Sequence, residues 1–129
     1  MVAGPEGLLG KRFAALLGHG GLAEQVKAPV KGLIPVPEGL SREEAAAFPI
    51  SSLTAYLALR MAEAKPGERL LVEAASGALG TALVQVGKAL GLKVLAAASR
   101  PEKLDLPRLL GADVAVDYAG LPQAVEEWG

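Results

Sequence analysis

From residue 67 onward, short apolar runs alternate with helical segments, and this alternation limits the fold more than any other feature of the sequence. Three runs have the length and composition of buried strands: Arg69–Glu73, Lys93–Ala98 and Val114–Tyr118. Between the first two, apolar residues recur at helical spacing from Leu79 to Leu90, which places them on one face of a helix. Strands that alternate with helices are typical of a parallel sheet. The pattern therefore predicts an α/β domain.

Glycine and proline mark the helix boundaries in this region. Gly91 supplies a stop for the first helix, because glycine readily adopts the left-handed conformation that ends helices. Pro101 suits the first turn of a second helix, where a missing N–H costs nothing, and Gly111 ends that helix. Pro107 lies inside it and predicts a kink, because proline removes a hydrogen bond to an earlier carbonyl. A last helix is predicted from about Leu121 to Trp128.

The first forty residues have a different pattern, rich in glycine and proline. Lys11–Leu17 is a candidate strand, and the glycine-rich turn at 18–21 favours a hairpin that returns through Leu22–Ala28. Leu33–Pro37 is expected to be extended, because each proline disfavours a helical conformation in the residue before it. The segment contains no self-sufficient core, so it is interpreted as part of a β domain.

Residues 41–66 are predicted to form two connecting helices. Ser41 and Glu44 have the spacing of a capping box, in which each side chain bonds to the other residue's backbone N–H. The helix that follows is expected to stop near Pro49. A longer helix is expected from about Ser52 to Ala64, where the Lys-Pro-Gly sequence at 65–67 breaks it.

The turn between the first predicted strand and its helix has the sequence Ala-Ala-Ser-Gly-Ala-Leu-Gly, residues 74–80. This is A-x-G-x-x-G, with Ala75 where the dinucleotide-binding fingerprint has its first glycine. Gly77 lets backbone N–H groups approach a pyrophosphate, and Gly80 lets the helix pack close to the strand. The helix N-terminus then faces the anion. The alternative is a turn of small residues that binds nothing.

The second predicted strand ends in a sequence that favours NADP over NAD. Proteins that bind NAD place an acidic residue about 20 residues beyond the glycines, where it holds the ribose 2′-hydroxyl. Here the strand ends at Ser99 and Arg100, with Lys103 close behind. Two cations without the acidic residue suit a 2′-phosphate, although Glu102 weakens their field. The alternative is that both cations are ordinary surface charges.

Several other kinds of chemistry are excluded by composition. The chain has no cysteine and a net charge of −1, which excludes disulfides, thiol nucleophiles and a strongly basic nucleic-acid surface. His19 is the only histidine, and the chain has no G-x-S-x-G motif, so a Ser-His-Asp triad is excluded. Thr81 follows Gly80 without the lysine that a P-loop requires. With no secretory leader pattern and no apolar run of membrane length, the sequence predicts a soluble, cytoplasmic protein.

Taken together, these motifs resemble the medium-chain dehydrogenase/reductase superfamily, and within it the zinc-independent quinone oxidoreductases of the ζ-crystallin-like branch. The matching stretches are Val72–Lys103, Pro35–Ser41, Glu43–Pro49, Leu53–Tyr56, Ser99–Leu104, Gly111–Asp113 and Asp117–Tyr118. The resemblance implies hydride transfer from NADPH to a quinone or enone-type acceptor. It also implies a metal-free reaction, because Ile50 stands about where zinc-dependent relatives carry a metal ligand.

The resemblance further implies which residues bind NADP(H). Residues 77–80 hold the pyrophosphate, Ser99, Lys103 and Tyr118 surround the 2′-phosphate, and Thr54 lies near the nicotinamide. No catalytic side chain is assigned. With the residues of the fingerprint and strand exits, the candidate cofactor-binding set is Thr54, Ala75, Ser76, Gly77, Ala78, Leu79, Gly80, Ser99, Arg100, Lys103 and Tyr118.

The expected fold is a partial Rossmann doubly wound parallel sheet of about three strands, preceded by the tail of a GroES-like β domain. Residues 1–40 are expected to be a remnant of that β domain, 41–66 connecting helices, and 67–129 the first half of the nucleotide-binding domain. Such sheets have the strand order 3-2-1-4-5-6. The chain is therefore expected to be truncated at both ends. Its first strand, Arg69–Glu73, then forms an open apolar edge that pairs with another copy or a complementary segment. An alternative to the enzyme is a non-catalytic NADPH-binding fragment or inactive remnant.

Overall fold

The computed structural model describes residues 3–129. They form two compact units that divide between Ile50 and Ser51. In the first unit, strand β1 (Phe13–Ala15) pairs antiparallel with strand β2 (Leu33–Pro35). The first unit is thus built around a small two-stranded sheet.

The predicted hairpin through Leu22–Ala28 is wrong. In the described structure this segment forms no strand, and Leu22 is fully exposed. Strand β1 instead pairs with the proline-flanked segment, where Phe13 lies opposite Pro35 and the Val36 N–H donates to Arg12 O at 3.1 Å. The prolines hold that segment extended without any partner, so it is available for pairing.

A single helix, α1 (Arg42–Met61), replaces the two helices expected before residue 66. The capping box is confirmed: the Ser41 N–H donates to Glu44 Oε2 at 2.8 Å, and the Glu44 N–H donates to Ser41 Oγ at 3.1 Å. Hydrogen bonds to the Glu44 carboxylate, with the largest effect from the Ser41 backbone N–H and a smaller one from the Ser41 side chain, lower the pKa of Glu44. The expected stop at Pro49 is wrong. One proline removes a single backbone hydrogen bond, and the alanine- and leucine-rich sequence on both sides favours helix.

The second unit contains the predicted parallel sheet. Its strands are β3 (Arg69–Val72), β4 (Lys93–Ala98) and β5 (Val114–Asp117), in the spatial order β3-β4-β5. Both pairings are parallel, with Leu71 beside Leu95 and Ala96 beside Ala115. This order places β3 at one edge of the three described strands, as the sequence predicted.

Helix α2 (Ala78–Ala89) connects β3 to β4 and packs against both of these strands. Its buried face packs on the sheet, and the buried core cluster consists of Val72, Ala75, Val84, Val94 and Ala96. The predicted stop is confirmed, since Gly91 has a positive φ of +80°. The buried residues of α2 are Gly80, Ala82, Val84 and Gly87, so its contact face lies beside the predicted apolar stripe, of which Leu79 is 43% exposed and Leu83 is partly buried against the core.

The segment after β4 forms a 3₁₀ turn at Pro101–Lys103 and then the short helix α3 (Asp105–Leu109), not one kinked helix. Pro107 lies in the first turn of α3, where the backbone N–H has no partner inside the helix, so it breaks no bond there. The expected kink is therefore wrong. Pro107 is buried, and its carbonyl accepts a hydrogen bond from the Ala112 N–H at 3.0 Å.

The last helix, α4 (Leu121–Trp128), has the predicted bounds. Its end lies beside the start of β3: Arg69 Nη1 donates to Gly129 O at 2.7 Å, and the guanidinium carbon lies 6.0 Å from the centre of the Trp128 ring. Within residues 3–129, no helix combines the length and apolar character needed to cross a membrane.

One ion pair ties α2 to the sheet and yields a testable prediction. Lys88 Nζ donates to both carboxylate oxygens of Asp113 at 2.8 Å, and the Val94 N–H donates to Asp113 Oδ2. Both hydrogen bonds lower the pKa of Asp113, and the bond from Lys88 has the larger effect. Because the pair is partly exposed, we expect Asp113→Asn to lower the free energy of unfolding by about 1 kcal/mol near neutral pH.

The pH dependence follows from the direction of that pKa shift. The stabilisation is complete above the ordinary pKa of an aspartate and is lost as the pH falls through the lowered pKa of the folded state. Urea unfolding of the wild-type chain and of Asp113→Asn should therefore give free energies of unfolding that differ near pH 7 and converge towards about pH 3. Asp105→Asn is the control, since its carboxylate is mostly exposed and lies 3.4 Å from Arg108. An equal loss of stability at both pH values would contradict the prediction.

Candidate functional site

An open cavity of about 420 Å³ lies where the carboxyl ends of β3, β4 and β5 meet the amino end of α2. In open parallel sheets, ligands bind outside the carboxyl ends of the strands. The cavity is lined by Ala74, Ser76, Gly77, Ala98, Ser99, Lys103 and Tyr118. It is therefore the candidate site of the second unit.

The turn after β3 is held by three hydrogen bonds at Ala74 and Ala75, two between backbone groups and one to a side-chain hydroxyl. The Gly77 N–H donates to Ala74 O at 2.9 Å, and the Ala75 N–H donates to Ala97 O at 2.9 Å. The Ala74 N–H donates to Tyr118 Oη at 3.0 Å. Ala74 has a φ of +48°, a left-handed conformation that costs about 1–2 kcal/mol for a residue with a Cβ. These bonds maintain a strained turn beside the cavity.

Gly80 has the packing role that the fingerprint predicted. It is buried, and a Cβ built on it would overlap the Ala74 carbonyl oxygen and lie 2.7 Å from Ala75 Cα. Helix α2 therefore approaches the turn more closely than any side chain permits. Ala75 lies beneath the turn with no exposed surface, so a position that is glycine in the fingerprint accepts alanine here.

The amino end of α2 begins beside the cavity lining and has uncapped backbone amides. Gly77 is the N-cap residue, with extended backbone, and no side chain of the described residues caps the helix there. The amides of an α-helix's first turn have no partner inside the helix, and together they favour an anion. A Cβ on Gly77 would lie 3.2 Å from Ala74 O, a tight contact that a small shift of the turn can relieve, unlike the overlap at Gly80. Gly77 also lines the cavity, where a side chain would occupy part of the space.

The side of the cavity that is formed by the residues after β4 carries a positive charge. Ser99 and Lys103 follow β4, and within residues 3–129 Lys103 forms no ion pair. None of the lining residues that the structure describes is acidic. Arg100 lies outside the lining, and its Nε is 3.6 Å from Glu102 Oε1. Lys103 is therefore the cation that the cavity offers to a phosphate.

The structure brings together five of the predicted residues in this cavity: Ser76, Gly77, Ser99, Lys103 and Tyr118. Ala78 and Leu79 are exposed in the first turn of α2, beside the lining, and Gly80 lies buried behind them. Thr54 lies on α1 and is not among the lining residues.

Two lining residues, Ala74 and Ala98, were not in the predicted set. Their position at the exits of β3 and β4 was the signal that could have identified them. Within the described residues, no group of three or more histidine, cysteine or acidic side chains is arranged to hold a metal ion.

Comparison with known proteins shows what the chain is similar to. It superimposes on quinone oxidoreductase from Thermus thermophilus, whose structure was also solved with NADPH, with a TM-score of 0.90 and 64% identity. That match covers 94% of this chain and 41% of the Thermus chain. The relatives and structural neighbours of the chain are thus quinone oxidoreductases and other members of the medium-chain dehydrogenase/reductase superfamily. Among known family models, none matches.

Other relatives support the same assignment to the medium-chain dehydrogenases/reductases. Bovine quinone oxidoreductase-like protein 2 is 43% identical over 112 residues, which are 85% of this chain and 32% of the relative. Escherichia coli quinone oxidoreductase, solved in complex with NADPH, is 32% identical with a TM-score of 0.66, over 76% of this chain and 31% of that one. The chain thus spans about a third of the length of these relatives.

The close packing at Gly80 yields a second prediction. Gly80→Ala forces the turn and the helix apart, and overpacking of this kind costs about 1–3 kcal/mol. We expect a lower melting temperature in thermal unfolding followed by circular dichroism. Gly77→Ala is the matched control, because its φ of −80° suits any residue and its Cβ contact is looser. Equal melting temperatures for the two variants would contradict the role assigned to Gly80.

Proposed function

We propose that this chain carries the NADP(H)-binding half-site of a quinone oxidoreductase. In this proposal, residues 67–129 are the first half of a Rossmann nucleotide-binding domain, residues 41–66 connect it to the preceding segment, and residues 1–40 derive from a GroES-like domain. The cavity at the carboxyl ends of the strands is the observation that supports this proposal. It combines an uncapped helix N-terminus, the ammonium of Lys103 and a described lining without acidic residues.

The geometry fits a dinucleotide with a 2′-phosphate. The first amides of α2, which follow the lining residue Gly77, suit the pyrophosphate, and the close contact at Gly80 fixes where α2 begins. Ser99, Lys103 and Tyr118 stand at the neighbouring strand exits, where the hydroxyls can donate hydrogen bonds and the ammonium supplies positive charge. An acidic residue would be needed there to bind the 2′-hydroxyl of NAD. The residues present therefore favour NADP(H).

When bound, NADPH supplies a hydride, and the reaction class is reduction of a quinone or enone-type acceptor. The role of this chain's residues is to bind and orient the dinucleotide, because in such enzymes the cofactor carries the chemistry. Ile50 cannot ligate zinc, which supports a reaction without metal. Thr54 is the proposed neighbour of the nicotinamide, and the proposed location is the cytoplasm.

The binding proposal is tested with NADPH and NADH in parallel. The wild-type chain should bind NADPH more tightly, as read by Trp128 fluorescence and by thermal shift. Lys103→Gln removes a charge-assisted hydrogen bond worth about 1.5–3 kcal/mol, so NADPH affinity should fall about ten- to a hundredfold while NADH affinity changes little.

Lys93→Gln provides the matched control for that experiment. Lys93 is exposed at the opposite end of the strand that leads to Ser99, and the proposal gives it no role. Its substitution should leave both affinities unchanged. If the wild-type chain binds neither nucleotide, or if the Lys103 and Lys93 variants behave alike, the proposed site is wrong.

The second candidate is a non-catalytic NADPH-binding fragment or inactive remnant. It rests on the same cavity, among whose lining residues no catalytic side chain is assigned. Binding of NADPH without reduction of a quinone would support this candidate. Turnover with NADPH and a quinone would support the enzyme.

The edge strand β3 supports a further proposal, that two copies of this chain pair. Among the described strands β3 bonds only to β4, and Leu71 is 44% exposed. In an antiparallel pair with its two-fold axis at Leu71, Arg69 of one copy lies opposite Glu73 of the other. Opposite charges in such positions stabilise a strand pair by about 0.2–1 kcal/mol each. The edge is thus complementary to itself in charge, although Arg69 Nη1 already bonds Gly129 O.

Charge reversal tests this pairing. Glu73→Arg places like charges opposite each other at two symmetric positions, so the dimer should dissociate about tenfold more readily in size-exclusion chromatography with light scattering. Adding Arg69→Glu to that variant reverses both charges and should restore the dimer. A wild-type chain that is monomeric throughout would contradict self-pairing and leave the edge to a complementary segment.

A further inference from the structure

Tyr118 joins two parts of the chain that are 44 residues apart. It follows β5 directly and lines the cavity, where it is 43% exposed. Its hydroxyl oxygen accepts a hydrogen bond from the Ala74 N–H at 3.0 Å. A hydroxyl that accepts one bond keeps its own hydrogen, which Tyr118 can donate to a ligand in the cavity. Tyr118 therefore contacts both the turn and the space in front of it.

Ala74 needs such a partner more than most residues do. Within residues 3–129, only Glu63 and Ala74 have a positive φ without being glycine. The Ala74 carbonyl also accepts the Gly77 N–H, so the conformation of Ala74 sets the direction in which α2 begins. The Tyr118 hydroxyl satisfies the amide of this strained residue, and removal of the hydroxyl leaves the turn free to relax.

We propose that Tyr118 is a positioning residue for the pyrophosphate as well as a neighbour of the 2′-phosphate. By holding Ala74, its hydroxyl keeps the first amides of α2 directed at the part of the dinucleotide that NADPH and NADH share. This inference rests on the proposed NADP(H) site. It differs from a role at the 2′-phosphate alone, because it makes the hydroxyl important for both nucleotides.

Tyr118→Phe removes only the hydroxyl and separates the two roles. Loss of one hydrogen bond predicts that the affinities for NADPH and NADH both fall, by about two- to tenfold. Any loss of the donor to the 2′-phosphate adds to the effect on NADPH. Tyr56→Phe is the matched control, because Tyr56 is the other tyrosine, is similarly exposed at 42%, and lies on α1 outside the cavity lining. A loss confined to NADPH, or no loss, would overturn the inference.

A second variant distinguishes positioning from general loss of structure. Glycine adopts a positive φ without penalty, so in Ala74→Gly the turn depends less on the hydroxyl. Adding Tyr118→Phe to Ala74→Gly should then change NADH affinity by less than Tyr118→Phe does in the wild-type background. A purely structural defect would lower the melting temperature but would show no such coupling in binding. Equal losses in the two backgrounds would count against the inference.

Hydrogen exchange supplies a readout that needs no nucleotide. In Tyr118→Phe, the amides of residues 74–77 should exchange several-fold faster than in the wild-type chain, while the amides of β4 stay protected. In Tyr56→Phe, the amides of residues 74–77 should exchange at the wild-type rate. Unchanged exchange in the turn would overturn the positioning role. If the wild-type chain binds neither nucleotide, the proposed function fails, whereas the exchange experiment still decides whether Tyr118 holds the turn.

Discussion

The close contact between the amino end of α2 and the turn after β3 is the constraint on which the rest of the nucleotide cavity depends. Gly80 is buried there, and a single added carbon would overlap the Ala74 backbone. The contact fixes where α2 begins and therefore where its uncapped amides point. Because the strands are parallel, the exits of β4 and β5 lie on the same side, so Ser99 and Tyr118 line the same cavity as Gly77.

In the second unit, some charged side chains stabilise the fold and another is available for binding. Lys88 is paired with Asp113 away from the cavity, where it ties α2 to the sheet. Arg100 lies near Glu102, while Lys103 forms no ion pair within residues 3–129. A cation that is not neutralised by the protein is available to a phosphate. The distribution explains why a chain with a net charge of −1 can still present a basic cavity.

Small residues make this arrangement possible. Ala96, Ala97 and Ala98 are almost completely buried in β4, and Ala75 is buried beneath the turn. Larger side chains at these positions would separate the helix from the sheet and fill the cavity, because interiors are close-packed. The same local design is consistent with the 64% identity to the Thermus quinone oxidoreductase over a region that is 41% of that protein.

Local patterns in the sequence determined the elements of the second unit. The bounds of β4 and α4, the stop at Gly91 and the parallel order follow from apolar periodicity and from glycine, which act over a few residues. Contacts between distant residues were decided only by the tertiary structure. The pairing of β1 with β2 and the bond from Ala74 to Tyr118 are examples. The helix through Pro49 is a different case, because there the helix propensity of the neighbouring residues outweighs one proline. The strand pairing and the Tyr118 bond join segments remote in sequence, and no local pattern records them, because their energy comes from residues that only folding brings together.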